Sequence, residues 1–192
     1  SCSPPPRSAS DCRSSSSFSS VGSTTSARPD WFFFCLAVLA TVYSLNVPVP
    51  GRVAALASYI ARDIPSARAR CRGEHTLCVK RLDGNGTDAG YDRLEARARE
   101  VLAGESTFEI RVTGVDHFTE AVTGSAPIVY LVVESPGLRR LHQSLADVFP
   151  TVDLIEGDSY TPHVTVARGG SLASAKRVTG REIDSISWTV SA

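Results

Sequence analysis

The sequence predicts an α+β domain made of two similar lobes, and two observations carry the prediction. From Tyr43 onward, short runs with strand-like alternation take turns with stretches whose apolar residues fall at helical spacing. The order of these elements also repeats. Strand, helix, histidine-bearing strand and helix fill the first half; strand, helix, histidine-bearing strand and short helix recur in the second. The histidines concerned, His75 and His163, lie 88 residues apart. A duplicated unit of this kind implies a pseudo-twofold axis, with both histidines turned to a common cleft. At 192 residues the chain can bury a sizeable single core.

The elements follow from the residues. Tyr43, Leu45, Val47 and Val49 alternate as a first strand. Pro50-Gly51 opens a helix on Val53, Leu56, Ala57, Ile60 and Ile64, which Pro65 ends. Residues Glu74 to Leu82 read as the second strand, closed by the turn Asp83-Gly84-Asn85-Gly86. A helix on Tyr91, Leu94, Ala98, Val101 and Leu102 stops at Gly104. Phe108, Ile110 and Val112 form a third strand. Ile128 to Val133 form a fourth, apolar throughout and expected to be covered on both faces. Ser135-Pro136 caps and starts a helix on Leu138, Leu141, Leu145, Val148 and Phe149. The segment Tyr160 to Gly170 supplies the second histidine strand, Ser171 begins a short helix, and Ile186, Trp188 and Val190 make a last strand. The pattern leaves room for one more strand after Ala192.

Residues 1–41 have a different character. Twelve of the first thirty residues are serine, and Pro4-Pro5-Pro6 adds to a composition that cannot bury enough surface to offset its chain entropy. The thirteen residues from Trp31 to Tyr43 are apolar, yet short of the roughly 20 that a bilayer span needs. They resemble the apolar region of a signal peptide, although the preceding stretch is long and weakly basic. The chain has no methionine. The expectation is therefore a disordered extension over residues 1–41, from an over-extended or fragmentary reading frame with a start near Val42, and a folded domain over 42–192. In a secreted chain Asn85-Gly86-Thr87 would accept a glycan; otherwise it is only a turn.

Charge and cysteines narrow the function. Twenty basic residues balance twenty acidic ones, so no global field draws nucleic acid or an acidic membrane, and an anion site must be local. The five cysteines are odd in number and lack Cys-x-x-Cys spacing, which argues against a disulfide framework or zinc and for a reducing, cytoplasmic compartment. No Walker loop, paired acidic metal site or Gly-x-Ser-x-Gly elbow occurs, so ATP, divalent ions and serine-esterase chemistry are not expected.

The stretch YTPHVTVARGG carries the chemistry. Side chains on a strand repeat every two residues, so His163 and Thr165 share a face. An imidazole moves protons near neutral pH, and a hydroxyl with Arg168 beside it holds a phosphate. A lone strand histidine is more often structural; the duplicated context favours function.

Taken together, the two histidine strands resemble the two-histidine phosphoesterases, which include the 2'-5' RNA ligase-like proteins and the RNA 2',3'-cyclic phosphodiesterases. The resemblance covers about residues 43–190. Its second motif stands intact as His163-Val164-Thr165-Val166. Its first motif is partial, since His75 is followed at once by Thr76 and Leu77. Either a bulge turns Thr76 inward, or Lys80 or Arg81 supplies the anion contact instead. The resemblance implies two antiparallel sheets flanking a cleft with helices outside. It implies metal-independent hydrolysis of a 2',3'-cyclic phosphate by His75 and His163 as acid and base, and 2'-5' ligation in reverse. Thr165, with Lys80, Arg81, Arg168 or Thr76, would hold the phosphate, and Tyr160, Tyr43, Tyr130 or Phe118 would stack a base. The partners implied are RNA ends or cyclic nucleotides, bound by a monomer with no cofactor. A non-catalytic module of the same fold, binding RNA ends or a nucleotide, is the alternative.

Three other features draw bland expectations. His117-Phe118-Thr119 is a rival His-x-Thr, read as an edge or turn histidine. His142 is expected on a solvated helix face. Cys78 is read as a buried strand thiol rather than a nucleophile.

Overall fold

The computed structural model describes residues 33–34, 37–38, 41–71, 73–83 and 87–191. Most of the expected N-terminal extension and the turn at 84–86 lie outside these. Two dipeptides of the apolar stretch, β1 (Phe33–Phe34) and β2 (Ala37–Val38), pair antiparallel with β3 (Thr41–Pro48). On β3 the alternation has the expected result: Tyr43, Leu45 and Val47 are buried.

Helix α1 (Gly51–Ala61) buries Val53, Ala54, Ala57 and Ile60, one stripe at helical spacing. After it comes β4 (Ala67–Ala69), a strand that apolar alternation does not reveal. The first-lobe histidine strand is β5 (Thr76–Asp83), followed by α2 (Asp88–Leu102), whose first turn is capped by Thr87. In the second half come β6 (Phe108–Phe118), β7 (Ile128–Glu134), α3 (Pro136–Ala146), β8 (His163–Gly169), α4 (Leu172–Val178) and β9 (Ile186–Val190). Ser135 caps α3 as expected: its Oγ accepts from the Leu138 N–H and donates to the Glu109 carbonyl, so one hydroxyl ties helix to sheet. Gly137 packs so closely under Phe108 that a Cβ there would collide with the Phe108 side chain.

Every strand pairing is antiparallel. The strand order is β1-β3-β5-β8-β7-β6-β9, with β2 on β3 and β4 on β8. The two expected sheets are thus halves of one path, joined between β5 and β8 by a single residue pair, Leu77 opposite Val164. The units β3-α1-β5 and β7-α3-β8 repeat each other across this seam. Their helices are exchanged: α1 packs on β8, and α3 packs on β5. The core lies beneath the sheet face carrying Leu45, Val47, Leu77, Leu131, Val133, Val164 and Val166, all buried.

Each histidine-motif strand carries a bulge at the same place. Along β5, Cys78 faces Asn46 and Lys80 faces Leu45, leaving Val79 as the extra residue. Along β8, Thr165 faces Tyr130 and Ala167 faces Val129, leaving Val166 as the extra residue. A bulge flips which face later residues occupy. Val79 therefore matches Val166, and Leu77 matches Val164 at the seam. The twofold accordingly lays Thr76-Leu77-Cys78-Val79-Lys80-Arg81 on His163-Val164-Thr165-Val166-Ala167-Arg168.

Candidate active site

A cleft of about 500 Å³ opens over the seam, lined among others by Cys78, Arg81, Phe118, Ile128, Tyr160, His163 and Arg168. Its chemistry centres on His163. The Nδ1–H of His163 donates to the Thr161 carbonyl at 2.7 Å, which fixes the tautomer and leaves Nε2 as a lone-pair acceptor. The ring stands edge-on to Phe118 (centroids 5.2 Å, 82°) and tilted against Tyr130 (5.3 Å, 60°), while Phe118 and Tyr130 stack on one another at 4.2 Å. Burial pushes the His163 pKa below its ordinary value; the Arg168 and Arg81 charges add to this, and the Thr161 bond opposes it. At neutral pH the imidazole is uncharged and ready to accept a proton.

Arg81 and Arg168 are twofold mates, and both line the cleft. Arg168 is anchored by its Nη1–H to the Thr123 carbonyl at 2.9 Å, and its Nε is buried without a partner. Burial lowers the Arg168 pKa, and the charges of Arg70 and Arg81 lower it further. Thr165 is half-buried on the face of His163, two residues along. The wall opposite is the loop from Leu154 to Thr161.

The other predicted residues fall differently. His75 precedes β5, is 4 % exposed, and directs Nδ1 at the Thr165 carbonyl at 3.2 Å, while its Nε2 is enclosed without a partner. It does not line the cleft, so the expected pairing of His75 with His163 is corrected. The register is the reason. With Leu77 opposite Val164, the β5 residues on the His163 face are Thr76 and Cys78, and His75 is out of phase by one. Thr76, expected to point away if the strand were regular, holds the place that His163 holds in the other lobe.

Lys80 is corrected as an anion contact. The bulge at Val79 turns it under the sheet, beside Leu45. It is fully buried there, its Nζ donating to Glu156 Oε2 (2.5 Å), the Pro150 carbonyl (2.7 Å) and the Arg81 carbonyl (3.0 Å). His142 is corrected as a surface residue: it is 2 % exposed. Its Nδ1–H donates to the carbonyl of the bulged Val79 (2.7 Å), its Nε2 accepts from the Gly157 N–H (2.9 Å), and its ring stacks on Tyr160 at 3.8 Å. Tyr160 lines the cleft but commits one ring face to His142 and its hydroxyl to the Cys78 carbonyl. Tyr43 is buried against Tyr91, which leaves Phe118 and Tyr130 as the aromatic rings beside His163. His117 lies within β6 with Nδ1 bonded to Thr179 Oγ1 at 2.8 Å. Burial raises the Cys78 thiol to about 11, so it stays protonated and unreactive.

A family model described as the 2'-5' RNA ligase superfamily matches residues 79–192, more than half of the chain. The chain belongs to the 2'-5' RNA ligase superfamily. Phosphoesterase-type chemistry on RNA or nucleotides is what this superfamily supports. The matched span takes in Arg81, His163, Thr165 and Arg168, and it begins just after His75 and Thr76. Among solved structures the chain is similar to the crystal structure of TT0787 of Thermus thermophilus, with 18% identity over 76% of this chain and 81% of that one and a TM-score of 0.52. That likeness is one of fold. No curated protein matches in sequence. No helix of the described residues is long and apolar enough to cross a membrane.

Two histidines of this superfamily member, the buried His142 and the half-buried His163, give its stability a pH dependence. Burial holds both His142 and His163 below the ordinary value, and unfolding returns each to about 6.5. The unfolded chain then binds more protons than the folded one as the pH falls below that value. Their contribution is whole above it and is lost as the pH drops through the folded-state values. The melting temperature should fall on acidification from about pH 7 to about pH 5, with a shallower slope in His142→Gln. A melting temperature that holds or rises on acidification would contradict this assignment.

Proposed function

We propose that the cleft binds RNA or nucleotide ends bearing a 2',3'-cyclic phosphate and hydrolyses them, with His163 as general base. The observation that carries this reading is the free Nε2 of a neutral His163 in a cleft that Arg81 and Arg168 also line. In this mechanism Nε2 takes a proton from a water molecule as its oxygen attacks phosphorus, and a ribose oxygen departs from the opposite side, taking its proton from solvent water. The two guanidiniums and the Thr165 hydroxyl hold the non-bridging oxygens, where charge grows. The same step with a 5'-hydroxyl in place of water as the nucleophile, and the 3'-oxygen departing, gives 2'-5' ligation. The chemistry asks only for proton transfer and charge neutralisation, so we expect activity to persist in excess chelator. We assign it to residues 42–192, acting as a monomer in a reducing, cytoplasmic setting.

The departing oxygen is the weak point. One imidazole cannot reach both apices of an in-line displacement, and the twofold mate of His163 is Thr76, whose hydroxyl is far too weak an acid to protonate the departing oxygen. That favours a second reading, in which the cleft binds such ends without turning them over. Incubation of a short oligonucleotide ending in a 2',3'-cyclic phosphate separates the two. Slow opening to a phosphomonoester is expected, reduced by roughly 100-fold or more in His163→Ala, the usual cost of losing a general base. No opening by the wild-type protein, with tight binding of the same oligonucleotide, would leave the binding module as the function.

A further inference from the structure

Strand β4 brings two more arginines to the cleft face. Its register on β8 sets Ala67 against Gly169, Arg68 against Arg168 and Ala69 against Ala167. Directly opposed residues of an antiparallel pair share a face, so Arg68 lies on the face from which Arg168 lines the cleft. The Arg70 N–H continues the ladder to the Val166 carbonyl, which returns Arg70 to the same face two residues on.

Like charges set directly opposite destabilise a strand pair. Here Arg68 opposes Arg168, with Arg70 beside them. Among the described residues none of these three guanidiniums has a carboxylate within salt-bridge distance. The chain as a whole is neutral, so this concentration is local. Arginine on an edge strand also guards against edge-to-edge pairing. That role is served by Arg68 alone and does not call for three cations on one face beside a buried, unpartnered Arg168 Nε.

The seat of β4 is built as well. Gly170, at φ +79°, lets the chain close to the point where a Cβ would stand 3.2 Å from the Ala67 Cβ and backbone N. At the same end of β4, Ser66 takes φ +67°, a left-handed turn that a non-glycine residue adopts at a cost. The arginines are held where they are.

We propose that Arg68 and Arg70 on β4, facing Arg168 on β8, form a second phosphate subsite that takes the internucleotide phosphate next to the reacting one. The preferred ligand is then an oligonucleotide end rather than a mononucleotide. This rests on the phosphoesterase reading of the cleft, and binding tests it independently of turnover. The probe is a labelled tetranucleotide with a 3'-terminal phosphate, followed by fluorescence anisotropy over a range of salt, beside a mononucleoside 3'-phosphate as competitor.

Arg68→Gln and Arg70→Gln, each checked for an unchanged melting temperature, should weaken the tetranucleotide about tenfold, as loss of a charge-assisted contact does. They should also flatten the slope of log affinity against log salt by about 0.7 for the phosphate lost. The mononucleotide should bind both variants as it binds the wild type. Unchanged tetranucleotide binding, equal weakening of both ligands, or no tetranucleotide binding by the wild type would each overturn the subsite. Wild-type binding that responds as stated, without any cyclic-phosphate opening, would remove the hydrolytic reading and leave the subsite standing.

Discussion

Thr76→His is expected to raise the rate of cyclic-phosphate opening by about 100-fold, the usual contribution of a general acid. The twofold built on the matched bulges at Val79 and Val166 gives Thr76 the position in its lobe that His163 has in the other. An in-line displacement places entering and leaving oxygens on opposite sides of phosphorus, and an imidazole at residue 76 would serve the second. The variant should also change the shape of the pH profile. The wild type should show one limb, set by protonation of His163, and the variant a bell with an acid limb and a base limb. Thr76→Ala should alter the rate only a few-fold, and His75→Ala should act on stability more than on rate, because its Nε2 is sealed from the cleft. No gain in Thr76→His, together with a large loss in His75→Ala, would refute this placement of the first lobe.

Glu156→Ala is expected to destabilise the fold by about 3–5 kcal/mol, the cost of leaving a buried partner charge uncompensated. Lys80 is fully enclosed, and Glu156 answers it at 2.5 Å while also accepting from the Arg81 and Val152 N–H groups. Removing the carboxylate strands an ammonium and two backbone donors at once. Against a typical total of about 5–15 kcal/mol, such a loss brings the protein close to unfolding at ordinary temperature. Urea titration measures it, as a lower midpoint with an unchanged slope. Lys80→Met with Glu156→Leu should cost less than Glu156→Ala alone, because two apolar side chains leave no charge behind. A shift below about 1 kcal/mol for Glu156→Ala would mean that water reaches Lys80.

Much of this fold was legible in the residues, because burial on one face writes itself as period. The helices over Gly51–Ala61 and Pro136–Ala146, with the Ser135 cap, stand where apolar spacing put them. Where the reading failed, a break in period was the cause. The bulge at Val79 shifts the phase of β5, so Lys80 goes to the core and Arg81 to the cleft, which strict alternation cannot express. The signal that would have found it is the repeated Val-x-Arg: Thr-Leu-Cys-Val-Lys-Arg and His-Val-Thr-Val-Ala-Arg align without a gap at a spacing of 87 residues. Matching histidine to histidine, at 88, hid it. His142 was missed because α3 is covered on two sides, by β5 and by the turn at Gly157, while periodicity reports one stripe. Strand β4 escaped because its alternation is of arginine and alanine, a pattern set by a charged face rather than an apolar one.

The exchange of helices across the seam makes the two lobes hostages to each other. Among the described residues Leu77 and Val164 alone pair across the halves of the sheet, yet α1 rests on β8, α3 rests on β5, and β4 completes the edge of β8. A chain cut between α2 and β6 would give one fragment lacking the strand that α1 covers and another lacking the strand that α3 covers. Neither piece owns a closed core, so neither is an independent folding unit. The duplicated halves look like two small domains, but they should reach the folded state in one cooperative step, and mixing the two fragments should restore it as a bimolecular reaction.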